Sequence, residues 1–201
     1  MDAHESSTKY RTNSLFRNGP IPSLNACVGR NGGPYDLEAY SRGYFRGAAA
    51  VARSVMEPTA IIDLLIYPLV FNYRHAVELG LKHLASVLPP LFDEPANTKL
   101  THRLLDNWEC VSGYLRRHQR FNPDHTLPEI TRILTDFAEI DPNGEAFRFP
   151  HGRSRVPFLQ DMSIINVPVF VKALSSVADA FDFWFHVADD LRECKLEYGA
   201  V

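Results

Sequence analysis

The sequence predicts an all-α protein: a helical bundle of about five helices, with a short irregular or hairpin insertion before a long last helix. Three observations carry this. Apolar residues recur at three- and four-residue steps through most of the chain after residue 34. Clusters of Pro, Asn and Gly separate those periodic runs. The links between runs are short, as neighbouring helices of a bundle require. At 201 residues the chain suits one domain with a sizeable core.

Residues 1–33 are polar, rich in Gly, Asn and Ser, and lack a sustained period, so they read as a flexible N-terminal arm. The helical domain is expected over 34–201. Its first helix spans Asp36 to Val55, with Leu37, Tyr40, Tyr44, Ala48, Val51 and Val55 on one face. Gly43 and Gly47 are small enough to let another helix approach. The second helix is predicted from Thr59 to Leu88. Its first half, around Ile61 to Phe71, is apolar all round and is expected to be central and buried. Pro68 removes a donor and should bend it, and Pro89 and Pro90 should end it.

The third helix is expected over His102 to His118, with Thr101 as N-cap and Leu104, Trp108, Val111 and Leu115 buried. Thr126 to Glu129 form a Thr-x-x-Glu capping box with Pro128 in the first turn, which starts the fourth helix. Leu127, Ile130, Leu134 and Phe137 make its stripe, and Asp141-Pro-Asn-Gly144 stops it. Residues 145–166 break the period and suggest a small hairpin turning at His151 and Gly152. The last helix is expected from Val167 to Cys194 at near-heptad spacing. Its aromatics Phe181, Phe183, Trp184 and Phe185 wrap more than one face, which suggests burial against a second copy.

Composition narrows the function. The net charge of −3 is mild, so a nucleic acid would have to meet a local patch. Cys27, Cys110 and Cys194 are widely spaced, form no zinc-like pattern, and suggest free thiols in the cytoplasm. The most apolar run, about 12 residues including Asp63 and Pro68, is too short to span a bilayer, and the opening residues do not resemble a signal peptide. No glycine-rich phosphate loop, HExxH or nucleophile elbow occurs, and no metal or cofactor is expected.

Two segments carry candidate chemistry. Arg74, Glu78 and Lys82 are spaced i, i+4, i+8 and line one side of the second helix, with His75 beside them. Such a stripe is a solvated ladder, a buried ion-pair network that fixes register, or a polar site. The segment from Asp141 to Arg155 gathers Arg148, His151, Arg153 and Arg155, with Phe147 and Phe149 flanking Arg148. Guanidinium groups on a loop can grip phosphate, or Arg148 can pair with Glu78 and staple the loop to the bundle.

The run Tyr73-Arg74-His75-Ala76-Val77-Glu78-Leu79 through Leu81-Lys82 resembles a helix of HEPN-superfamily proteins. So do His102 followed by Leu104, Leu105 and Trp108, and the segment Phe147-Arg148-Phe149-Pro150. The three pieces come in the expected order over the middle of the chain. The resemblance implies a helical bundle that usually dimerises. It also implies RNA as substrate, either for a metal-independent endoribonuclease of a bacterial toxin–antitoxin or antiviral defence system or for a relative that has become a binding module. Active members carry Arg, four to six residues, then His. Arg120 and His125 match that spacing, on a loop interrupted by Pro123. Candidate catalytic residues are therefore His102, Arg148, Arg120 and His125. Candidate substrate contacts are Arg74, His75, Glu78, Lys82, His151 and Arg153. The alternatives are a non-catalytic dimerisation or docking module, with a partner protein from the same system, and a nucleotide-binding accessory protein.

Overall fold

The computed structural model describes residues 14–29, 35–96, 100–121 and 126–199. Two compact units are distinguished, Met1–Tyr35 and Asp36–Val201. In the first, residues 14–29 are exposed and hold one short 3-10 turn, Pro22–Leu24, beside a mutual hydrogen-bonded pair between Gly19 and Asn25. The rest of the proposed arm lies outside the described residues.

The second unit is an all-α bundle of five α-helices: α1 (Leu37–Val55), α2 (Ile62–Leu91), α3 (Leu104–Leu115), α4 (Thr126–Ile140) and α5 (Val167–Tyr198). No strand occurs among the described residues. Helix α2 is the central element. Side-chain neighbours give the directions. Along α1, Glu38 meets His83 and Tyr44 meets His75, so α1 runs antiparallel to α2. Along α5, Phe170 meets Tyr73 and Phe185 meets His83, so α5 runs parallel to it.

Local chemistry explains most boundaries. The Asp36 carboxylate caps α1 by accepting from Ala39 N at 2.9 Å, and Asn166 caps α5 through Val169 N at 3.1 Å. Gly199 ends α5 in the left-handed region, φ 73°. Helix α4 stops at Ile140 before the Asp-Pro-Asn-Gly signal, and its four predicted stripe residues are all buried. Leu81, Leu84 and Leu88 of α2 are fully buried, each contributing roughly 1.5–3 kcal/mol.

Several expectations are corrected. The buried face of α1 is turned from the predicted one: Ser41, Phe45, Ala48, Ala52 and Val55 face inward, and Tyr40 is exposed. The close approach is not at Gly43, which faces open space. It is at Gly80 of α2, where an added Cβ would lie 2.4 Å from the Phe181 ring. Helix α2 spans Pro68 as expected, but Pro89 and Pro90 do not end it: they form its last turn, and it stops at Leu91. Lys195 from α5 satisfies the Pro90 carbonyl at 2.8 Å. Arg103, not Thr101, is the N-cap of α3, and Thr101 Oγ1 accepts from Arg103 N in a turn one step earlier.

The largest correction concerns the start of α2. Ile61, Ile62, Leu64 and Tyr67 are exposed, and full burial begins at Leu69. Asp141, just past the end of α4, meets Arg74, and Phe170, near the start of α5, meets Tyr73. The first two turns of α2 therefore reach past both neighbours. The aromatics of α5 are corrected too. Phe181, Trp184 and Phe185 are buried within the bundle, and only Phe183 is exposed, so their breadth is no argument for a second copy. The insertion makes one isolated bridge among the described residues, His151 to Pro157, and its turn runs from Gly152 to Arg155 with Arg153 and Ser154 at the centre, one to two residues past the expected His151 and Gly152.

Candidate functional site

The charged stripe of α2 is not a solvated ladder. The side chains of Arg74 and Glu78 are 3% and 5% exposed. Arg74 uses its whole fork. One terminal nitrogen donates to Glu78 Oε2 at 2.8 Å and the other to the His102 carbonyl at 2.8 Å. Its Nε donates to the Asp141 carbonyl at 3.3 Å and lies 3.3 Å from the Asp141 carboxylate. The second oxygen of Glu78 accepts from Lys82 Nζ at 2.8 Å and lies 2.8 Å from His102 Nδ1. Four elements, α2, the segment before α3, the end of α4 and the following loop, therefore meet on one ion pair. The described buried side-chain polar atoms all have partners.

The loop staple exists, but Arg148 does not make it. Asp141 does. Its carboxylate turns back to accept from Glu145 N at 2.8 Å and Ala146 N at 3.1 Å while it faces Arg74. Gly144, at φ 79°, lies against the guanidinium, where a Cβ would fall 2.5 Å from an Arg74 nitrogen. Sequence reasoning took Asp141 and Gly144 for a helix stop alone. A signal was present: an acidic residue beside a helix C-terminus is unfavourable to the helix dipole unless a cation answers it.

Electrostatics fixes the state of the central group. Burial pushes the Glu78 carboxyl up, but hydrogen bonds from Lys82, Arg74 and His102 outweigh it and hold the group below the usual carboxylate range. An ionised carboxylate only accepts, so Nδ1 of His102 carries its proton toward Glu78. In the neutral ring, Nε2 then keeps a free lone pair. The His102 side chain is 79% exposed, so that lone pair is open to a ligand.

The other predicted residues separate. His75 is half-buried between the Phe71 ring, stacked at 5.6 Å, and the Tyr44 ring, edge-on at 4.5 Å. Burial lowers its pKa. The Glu78 charge opposes that, and Lys82, Arg74 and Arg148 reinforce it. Arg148 is exposed, with its guanidinium 5.1 Å from the Phe149 ring centre and no carboxylate paired to it among the described residues. His151 and Arg153 are exposed on the insertion turn. Arg120 pairs with Asp190 of α5 at 2.8 Å. That point lies about two and a half turns along α5 from Phe181, which packs on Gly80, so Arg120 is not part of the cluster. His125 lies outside the described residues.

Comparison of the chain with protein-family models, with curated protein sequences and with solved structures finds no match.

Proposed function

We propose that this protein is a HEPN-like, RNA-directed protein in which His102 is the general base of a metal-independent endoribonuclease. The observation that carries the reading is the exposed His102 imidazole, held at 2.8 Å by a buried carboxylate that is itself clamped by Arg74 and Lys82. Nε2 would take the proton of a ribose 2′-hydroxyl. The oxygen attacks the adjacent phosphorus, the P–O5′ bond breaks as the 5′-oxygen takes a proton from water and leaves as a hydroxyl, and a 2′,3′-cyclic phosphate remains. Glu78 steadies the imidazolium formed, as a carboxylate does for a catalytic histidine elsewhere. Arg148 is the guanidinium free to answer the charge growing on the phosphate, since the Arg74 fork is already spent. Asp141 and Gly144 position the cluster. A cytoplasmic setting and a bacterial toxin or defence role are part of the proposal.

The test is incubation of the purified protein with total RNA, with and without chelator. Cleavage should survive chelator and fall about 10²–10⁴-fold in His102→Ala. It should fall likewise in Arg148→Ala, with both variants folded. No cleavage at high protein concentration overturns the reading.

A second reading, a non-catalytic docking or dimerisation module, is favoured by a different observation. Ile61, Ile62, Leu64 and Tyr67 at the start of α2 are exposed together with Ile164. A homodimer built on that face would lose mass by light scattering in Leu64→Glu, whereas an unchanged mass would remove the face from consideration.

A further inference from the structure

The exposed start of α2 and the insertion before α5 enclose an open cleft of about 730 Å³. That volume falls inside the usual range for small-molecule sites, roughly 300–1,000 Å³. Most of the side chains that line it are apolar or aromatic. Ile66 and Tyr67 come from α2, while Phe147, Phe149, Phe158 and Leu159 come from the insertion. Two charged side chains line it. Asp63 belongs to the first turn of α2, where the helix N-terminus favours an acid. Arg148 has no carboxylate paired to it among the described residues, and its guanidinium already lies over an aromatic ring.

The backbone of the insertion adds an independent observation. Leu159 sits at φ 59°, in the left-handed region. A leucine has no polar side chain with which to compensate there, and such strain concentrates at ligand clamps and active sites. The strained residue is one that lines the cleft.

We propose that this cleft binds an aromatic anion: a flat ring system among Tyr67, Phe149 and Phe158, with one anionic group on Arg148. Aromatic walls favour a planar body over an aliphatic chain, since rings stack offset or edge-on beyond what their area contributes. A guanidinium favours a carboxylate, sulfonate or phosphate, which it can grip with two parallel bonds. The site stands apart from the His102 reading, although both proposals use Arg148.

The test uses three probes against the full chain by isothermal titration. These are 2-naphthoate, 2-naphthol (the same ring without the charge) and decanoate (the charge without a ring). The expected result is binding of 2-naphthoate at one site, weakened about tenfold or more in Arg148→Gln, as loss of a charge-assisted bond implies. Binding of 2-naphthol should be weaker and indifferent to that variant. Ile66→Trp, which fills the cleft without adding charge, should abolish naphthoate binding while thermal melting shows the fold intact. A phosphate-bearing arm, 2-naphthyl phosphate, separates the anion types: whichever binds more tightly names the headgroup. His102→Gln should leave naphthoate binding unchanged even where it removes RNA cleavage, so the two proposals fail separately. Naphthoate binding that ignores both Arg148→Gln and Ile66→Trp overturns the site, as does decanoate binding as tightly as naphthoate.

Discussion

Replacing Glu78 with alanine removes the carboxylate that Arg74, Lys82 and His102 share. Arg74 is left inside the bundle with its charge. Breaking a buried ion pair from one side costs about 3–5 kcal/mol, because the remaining charge stays desolvated. Two features place Glu78→Ala near the lower end, about 3 kcal/mol. Arg74 keeps Asp141 and the His102 carbonyl, and Lys82 is near enough to the surface to turn toward water. In urea, with a slope of about 2 kcal/mol per molar, the midpoint should fall by about 1.5 M at unchanged slope. For a domain of this size the melting temperature should drop by about 6–12 °C. Arg148→Ala is the control. It is exposed and unpaired by any described carboxylate, so it should shift stability by less than about 0.5 kcal/mol. The triple variant Arg74→Met/Glu78→Leu/Asp141→Asn removes all three buried charges, keeps an acceptor for Glu145 N and Ala146 N, and should recover more than about half the loss. A cost below about 1 kcal/mol for Glu78→Ala, or no recovery in the triple variant, would refute the account of a buried network that joins four segments.

Glycine positions give a paired test. Gly80→Ala drives a Cβ into the fixed Phe181 ring and should cost about 1–3 kcal/mol by denaturation, whereas Gly43→Ala meets open space on a helix and should gain about 0.5–1 kcal/mol. Gly144→Ala meets both the Arg74 guanidinium and an unfavourable positive φ, so it should destabilise by more than about 2 kcal/mol and expose the loop to limited proteolysis. Stability should also depend on pH with a definite sign. Burial lowers the folded pKa of His75 and His83 from 6.5, so the unfolded chain takes up more protons as pH falls through that value; stability is full above it and is lost below. Glu78, held below 4.5 in the fold, adds a second loss as pH falls further. Melting temperatures between pH 8 and 4 should fall in that order, and His83→Gln should flatten the first step; a melting temperature that rises from pH 7 to 5.5 would contradict it.

The bundle was legible in the sequence because helix period and punctuation are local. The Asp-Pro-Asn-Gly signal acts within a turn of Ile140, where α4 ends, and the stripe of Leu127, Ile130, Leu134 and Phe137 needs only 3.6-residue geometry to define an inward face. The HEPN resemblance named Arg74, Glu78, His102 and Arg148 as candidate site residues, but whether they converge was left to the structure, which joins the first three and leaves Arg148 outside. The burial of that stripe was left open, since spacing alone places charges on one side of a helix without stating what lies opposite.

What lies opposite is a property of packing. The run from Ile61 to Phe71 is the most apolar in the chain, yet its start is exposed, because the end of α4 and the beginning of α5 reach only the level of Arg74 and Tyr73. Asp141 replaced Arg148 as the loop's link to α2 because its carboxylate can serve two backbone donors and a guanidinium at once, a geometry set by how α4 ends against α2. Periodicity, caps and turn residues determine which segments are helices and which faces avoid water. How far each helix extends past its neighbours, and which charges are thereby enclosed, depends on contacts between residues tens of positions apart.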